Sequence, residues 1–280
     1  MSKNYGYNDI DKLLDSADLS RETEPEKAFD FIEIAMILSM ENKDKLKQAE
    51  TFSVLADYYK HYGQYDLAAV NYEESAELFD EKNPLYFQNY FNAAQYYYKA
   101  GNYSKSIGIF KLLAKKTSDE KKQLIILEGL GDNYFELDSI DISLDKYYKA
   151  DSLSAAIPDI DKNTEIKLKI GKVLTKLNDR RALQYLNKAN IQSNTTANMR
   201  LQFESQNQIA DYYSNNNMYR EEMQQRSLIS NNMKEKSELF EKQNIDVDKE
   251  IFRNNILIAR ILNLQKQPDE ALEYINKNKE

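Results

Sequence analysis

Few side chains in this sequence are of the types that catalyse reactions or hold metal ions. The chain has no cysteine and a single histidine, His61, so thiol nucleophiles, disulfides and cysteine-based metal sites are excluded. A lone histidine without a second His or Cys is more often a surface or packing residue than a catalyst. The 46 acidic residues are too many for spacing to single out an acid–base pair. We therefore expect no enzyme activity, no cofactor and no metal site.

Two short patterns resemble ligand-binding loops, but each lacks residues that such a loop requires. Gly129-Leu130-Gly131 lacks the third glycine of a phosphate loop, and both glycines fall in a predicted helix. Asp246, Asp248 and Glu250 have acidic spacing, but they lack the central glycine and full ligand run of a calcium loop. We interpret Gly131, and likewise Gly171, as small residues at which adjacent helices touch.

The organisation of the chain is a repeat with a period of 37 to 40 residues. Each repeat has a small residue followed, three positions later, by an aromatic residue or Leu. The small residues are Ala56, Ala94, Gly131, Gly171, Ala210 and, after a longer interval of 49 residues, Ala259. Apolar residues recur at three- and four-residue steps, which indicates helices throughout. A fixed period of this length predicts a solenoid.

A second helix follows each first helix, and turn residues separate them. The second helices repeat a small–large–small pattern such as Ala68-Tyr72-Ala76, which allows close backbone packing. Gly63, Gly101, Asp138 and Asn217 stand where a helix must end in a left-handed residue. The four prolines, Pro25, Pro84, Pro158 and Pro268, fall at predicted helix starts or linkers.

These residues make the chain similar to the tetratricopeptide (TPR) repeat family. The clearest copy of the motif consists of Leu55-Ala56, Tyr59, Gly63, Tyr65, Ala68, Tyr72, Ala76 and Pro84. The resemblance implies an all-α, right-handed α-solenoid of about seven antiparallel helix pairs, with first helices lining a concave groove. We expect one superhelical domain over residues 1–280, with repeats at roughly 10–40, 45–79, 85–116, 120–154, 162–190, 197–242 and 247–278. The Asn-, Lys- and Tyr-rich composition also resembles TPR regions of Bacteroidetes sensor kinases and related regulators.

The sixth repeat departs from the family pattern. It carries Glu222 and Arg226 where the family has Ala and an aromatic residue. The charged stretch 234–242 follows, and we expect it to lengthen the second helix into solvent.

The predicted partner-binding groove is formed by first helices of the third to fifth repeats. Its residues are Phe91, Gln95, Tyr98, Asp132, Phe135, Lys172 and Lys176. Exposed aromatic residues are common binding anchors, and the change from acidic to basic residues would set a partner's direction. The alternative is that the long repeats bury Phe91, Tyr98 and Phe135 against the neighbouring pair.

TPR domains that hold a chaperone tail by its carboxylate use Lys and Asn at fixed groove positions. The matching positions here carry Ser53, Asp57, Glu128 and Asp132, and Asn92 alone fits. The resemblance therefore argues against a chaperone-tail co-chaperone.

Net charge and hydropathy limit the classes of partner that this chain is expected to bind. A net charge of −8 argues against nucleic acid, because phosphate binding needs clustered Lys and Arg. The most apolar stretch, 31–40, is too short to span a bilayer. We expect a protein or peptide partner and no membrane insertion by this segment. A homo-oligomer formed through the C-terminal repeat is left open. The location would be cytoplasmic for a complete chain and periplasmic for an excised sensor region.

Two functions remain open at this point. One is the sensory or regulatory region of a bacterial signalling protein, such as a sensor kinase or transcription regulator. The other is a free-standing TPR adaptor or assembly factor. Because the chain stops near a second helix with no polar capping helix after it, we expect truncation, a partner or an uncommon end.

Overall fold

The structure is a computed structural model that describes residues 5–276. Over this range the chain forms a short 3-10 helix, Tyr7–Asp9, and fifteen α-helices, and it contains no β-strand. The α-helices are α1 Ile10–Ser20, α2 Pro25–Glu41, α3 Lys45–His61, α4 Tyr65–Leu78, α5 Pro84–Lys99, α6 Tyr103–Lys116, α7 Glu120–Glu136, α8 Ile140–Ser154, α9 Ile160–Lys176, α10 Arg181–Ser193, α11 Met199–Asn215, α12 Tyr219–Glu235, α13 Ser237–Glu241, α14 Val247–Leu264 and α15 Pro268–Asn276.

Contacts divide the chain into a first unit, up to Ser139, and a second unit, from Ile140 onward. In the first unit each helix from α1 to α7 packs on the next. In the second unit α9 packs on α10, α11 on α12 and α14 on α15, and α11 also contacts α9. For these helices the contacts confirm the predicted pairing of first and second helices. One continuous domain over the whole chain stays a prediction.

The helix ends follow from the turn and cap residues. Gly63 and Gly101 have φ of 70° and 80°, and Asp138 and Asn217 have φ of 55° and 56°, so all four left-handed assignments are confirmed. Four further residues that the motif did not single out are also left-handed: Lys43, Asn178, Asn244 and Lys266. Pro25 and Pro84 lie in the first turns of α2 and α5, where the missing N–H costs nothing.

The first unit has an aromatic core. Tyr72, Tyr90, Tyr97 and Phe110 are buried there among alanines such as Ala94. Small residues allow the helix backbones to approach, and the large rings fill the remaining space at the density of a protein interior.

The core of the second unit is mainly aliphatic. Ile166, Leu168, Ile170, Leu174 and Leu186 are nearly inaccessible to solvent. Farther along the chain, a separate cluster joins α11, α12, α13 and α14 through Met199, Ile229, Met233, Phe240, Val247 and Ile251.

This second cluster corrects the expectation that the stretch 234–242 extends a helix into solvent. Helix α12 ends at Glu235, and Lys236 leaves the helical region with φ −117° and ψ 24°. The chain then turns into α13, where Phe240 is fully buried. Burying a Phe side chain stabilises the fold by about 1.5–3 kcal/mol, so Phe240 directs this largely charged segment to the core.

Close helix packing explains two glycines. A Cβ at Gly171 would lie 2.7 Å from Cγ of Leu186, and a Cβ at Gly129 would lie 2.6 Å from Cε2 of Phe110. Gly131 is also buried. A Cβ at position 129 or 171 would therefore force the facing side chain to shift, and for Gly171 this confirms the predicted helix contact.

Candidate partner-binding surface

Two of the predicted groove residues on α5 are accessible. Gln95 is exposed and Tyr98 is half-buried. The Tyr98 hydroxyl donates a long hydrogen bond of 3.4 Å to Oε1 of Glu136, and its ring lies 5.7 Å from that of Tyr103. The hydrogen bond brings the last turn of α5 to the last turn of α7, the helix that carries Asp132 and Phe135.

Phe91 is not a groove anchor of the expected kind. Its ring packs edge-on against Phe110 of α6, with centroids 5.7 Å apart, and stacks on Phe87 at 6.0 Å. Because α6 is the second helix of the same pair, Phe91 contributes to the helix-pair core instead of projecting away from it. The expectation of a fully projecting ring is wrong here.

The remaining predicted residues lie on α7 and α9. Asp132 and Phe135 are half-buried on α7 in the first unit. Lys172 and Lys176 are exposed one helical turn apart on α9, in the second unit. Binding of a partner to these residues stays a prediction.

The carboxylate of Asp57 on α3 makes contacts that the sequence analysis does not predict. Oδ1 of Asp57 accepts a 2.7 Å hydrogen bond from the Tyr72 hydroxyl and forms an ion pair with Lys60. Burial and, next, this hydrogen bond raise the pKa of Tyr72 far above its ordinary value. The available signal was the Asp that directly follows the small residue Ala56, opposite the central Tyr of the second helix.

The second unit has an equivalent contact between a second-helix donor and an Asp of the first helix, but the donor is a different residue. Asp211 directly follows the small residue Ala210, and Nη2 of Arg226 donates to its Oδ1 at 3.2 Å. Arg226 occupies the repeat position of Tyr72, and Glu222 occupies that of Ala68. Nε of Arg226 donates to Oε1 of Glu222 at 2.8 Å, and both of these side chains are buried. The departure from the repeat pattern is therefore a buried ion pair that reaches a surface carboxylate.

A second feature of the α4–α5 region is a stack of tyrosines under a lysine. The Tyr96 ring stacks on Tyr72, with centroids 5.6 Å apart, and lies 5.8 Å from Tyr65. The Lys99 ammonium sits over Tyr96 at 4.8 Å and over Tyr65 at 5.6 Å, within cation–π range. Lys99 thus belongs to an internal contact as well as to the surface.

The side chains that suggested other chemistry stay apart. His61 is exposed and packs edge-on against Tyr62, with centroids 4.9 Å apart. Within residues 5–276, no three His, Cys, Asp or Glu side chains are placed to share a metal ion. Among the helices of this range, none is both long and apolar enough to cross a bilayer.

Comparisons with known proteins place the fold. A family model for soluble NSF attachment protein (SNAP) matches residues 8–127, and no curated protein matches the chain. The apo form of RapI is 15% identical, with TM-score 0.66, over 96% of this chain and 95% of that chain. A Rap protein complexed with competence and sporulation factor is 13% identical, with TM-score 0.58, over 97% of this chain and 77% of that one.

A third similar structure is a signal-transduction ATPase with a tetratricopeptide repeat sensor, from Pyrococcus horikoshii. It is 14% identical, with TM-score 0.60, over 96% of this chain and 46% of that chain. At these identities the likeness concerns the fold alone. The chain is an all-α protein with a TPR-like repeat fold.

Proposed function

We propose that this chain is a non-catalytic scaffold that binds a protein or peptide through the first helices of its repeats. The observation that carries the proposal is the accessible part of α5, where Gln95 is exposed and Tyr98 is half-buried. Tyrosine supplies contact area at low entropic cost, and half-buried aromatic residues are typical anchors. Asp132 on α7 would add a negative charge to this surface of the first unit. In the second unit, Lys172 and Lys176 on α9 would offer positive charges on a surface of their own.

The similar structures support a regulatory role within this proposal. One Rap structure is described as a complex with competence and sporulation factor, and the Pyrococcus protein as carrying a tetratricopeptide repeat sensor. We infer by analogy that the chain is the sensory or regulatory region of a bacterial signalling protein, and its composition supports the narrower likeness to Bacteroidetes regulators. A free-standing adaptor is the alternative. The complete reading frame distinguishes the two, because a regulatory region is joined to a kinase or DNA-binding domain.

Site-specific photo-cross-linking tests the surface. A photoreactive amino acid at Gln95 should capture a partner from an extract of the source organism. The matched control is Ser104, an exposed polar residue of α6. We expect a discrete cross-linked species from position 95 that Tyr98→Ala diminishes in a folded variant. Equal capture from positions 95 and 104, or capture unaffected by Tyr98→Ala, would show that the first helices are not the site.

A further inference from the structure

The last helix pair of the second unit exposes an apolar surface, which we call the terminal face. Its large exposed side chains are Phe252, Ile256 and Leu264 of α14 with Leu272 and Ile275 of α15. Between the two helices lies a shallow pocket of about 390 Å³, lined by Ile256, Ala259, Arg260, Asn263, Leu264 and Ile275. Contiguous apolar patches of this kind mark interaction sites more often than single exposed apolar residues do.

Repeat register shows that the terminal face corresponds to a buried surface elsewhere. Leu168 of α9 and Ile256 of α14 both stand three residues before the small residue of their repeat, and they are 1% and 44% exposed. On the second helices, Leu186 and Ile275 both stand four residues after the first small residue, and they are 0% and 38% exposed. In the interior repeat, helix α11 packs on both α9 and α10. The terminal face therefore has the composition of a helix-covered surface.

The charges around the terminal face indicate what covers it. Helix α14 contributes Arg253 and Arg260 to its exposed side, and the first turn of α15 contributes Asp269 and Glu270. A patch with cations on one helix and anions on the other is complementary to itself after a two-fold rotation, because α14 of each copy then faces α15 of its mate. The apolar residues between them supply the desolvated centre of such an interface.

We propose that the terminal face binds a second copy of this chain, forming a two-fold dimer of α14–α15 pairs. Ile256 and Ile275 lie at the centre, and Arg260 of each copy pairs with Asp269 of the other. The proposal concerns self-association alone and does not depend on the groove on the first helices.

Sedimentation equilibrium of the full chain at micromolar concentration tests this proposal. We expect a dimer for the wild type and a monomer for Ile256→Glu. The matched control is Ile191→Glu, because Ile191 is an exposed isoleucine of α10 outside the terminal face, and this variant should remain dimeric. A wild-type chain that stays monomeric would overturn the proposal and assign the face to another partner or segment. A dimer that survives Ile256→Glu would overturn it as well.

A charge exchange tests the two-fold pairing. Arg260→Glu and Asp269→Arg should each dimerise at least tenfold more weakly than the wild type, since each gives both helices the same sign. An equimolar mixture should regain heterodimers close to wild-type affinity, because the carboxylate introduced at position 260 of one variant then meets the guanidinium introduced at position 269 of the other. A mixture no stronger than the single variants would contradict the pairing of α14 with α15. Circular dichroism of each variant, which should match the wild type, verifies the fold.

Discussion

The first and second units place different side chains at equivalent positions of the repeat. At one pair of repeat positions the first unit has Ala68 and Tyr72, and the second has Glu222 and Arg226. In both units the larger residue reaches a carboxylate that follows the small residue of the first helix, Asp57 or Asp211. Tyr72 does so as a neutral donor, whereas Arg226 carries a charge and needs Glu222 as a buried counter-ion.

The repeat therefore fixes the geometry at these positions and leaves the chemistry of the donor free. A donor at the centre of the second helix can bind the Asp of the first helix as phenol or as guanidinium. The two versions differ in their cost of burial, because a charged group loses far more solvation energy than a hydroxyl.

The largest effect is expected from breaking the ion pair of the second unit. Arg226→Met should lower the free energy of unfolding by about 3–5 kcal/mol, because Glu222 is left charged and buried without its partner. Urea unfolding measures this loss. The control is Arg200→Met, since Arg200 is an exposed arginine of α11 and its replacement should change stability by no more than about 0.5 kcal/mol.

Placing the first unit's residues in the second unit tests whether the two pairs are interchangeable. The double variant Glu222→Ala/Arg226→Tyr should recover most of the loss and lie within about 1 kcal/mol of the wild type, or above it, because replacing a buried ion pair by well-packed groups is often neutral or stabilising. A double variant as unstable as Arg226→Met would show that the two units are not interchangeable at these positions.

Replacing the helix-contact glycines should cause the next largest loss of stability, and the loss should be similar in both units. Gly129→Ala and Gly171→Ala should each lower stability by about 1–3 kcal/mol, because the added methyl group overlaps Phe110 or Leu186. Gly108 of α6 is the control, since a Cβ there meets no atom within 4 Å. Gly108→Ala should raise stability by about 0.4–1 kcal/mol by restricting the unfolded chain. Thermal melts that rank all three substitutions alike would refute the contact argument.

At high pH the first unit should lose more stability than the second. Burial raises the pKa of Tyr90 to about 12 and, as the largest cause, also raises that of Tyr97 and Tyr72. The folded state therefore favours the neutral phenols. This stability is fully present below the unfolded pKa of about 10 and is lost as the pH rises toward the folded values. Backbone amide probes should report loosening of the first unit between about pH 10 and 12.

The same experiment needs a reference tyrosine in the second unit. Burial also raises the pKa of Tyr185, but this residue is half-buried. Tyr72→Phe should reduce the alkaline loss of stability in the first unit, and Tyr185→Phe should alter it less. An equal reduction by both substitutions would mean that the aromatic core is not the source of the pH dependence.

Much of the fold follows from local patterns. Small residues at a period of 37 to 40 predict helix pairs, because close helix approach needs a small side chain at regular intervals. Gly63, Gly101, Asp138 and Asn217 predict helix ends, because few residues adopt a left-handed backbone at low cost. These features depend on the residue and its immediate neighbours alone.

The candidate groove could be predicted only in part. Gln95 is accessible as expected on α5, but Phe91 packs on Phe110. Helical periodicity fixes which residues share a face, whereas the exposure of a ring depends on how the neighbouring helix is rotated. A register difference of one residue decides between groove and core, and it is set by contacts distant in sequence.

The helical repeat, the turn positions and the scarcity of catalytic side chains can be read from the amino-acid sequence, since each depends on residue type and spacing. Helix packing, in contrast, sets three features: the turn after α12 that leads to the buried Phe240, the contact of Arg226 with Asp211, and the exposure on α14 and α15 of apolar positions that α9 and α10 bury. The reason is physical: burial and pairing energies depend on which helices meet, and that is a property of the packed chain.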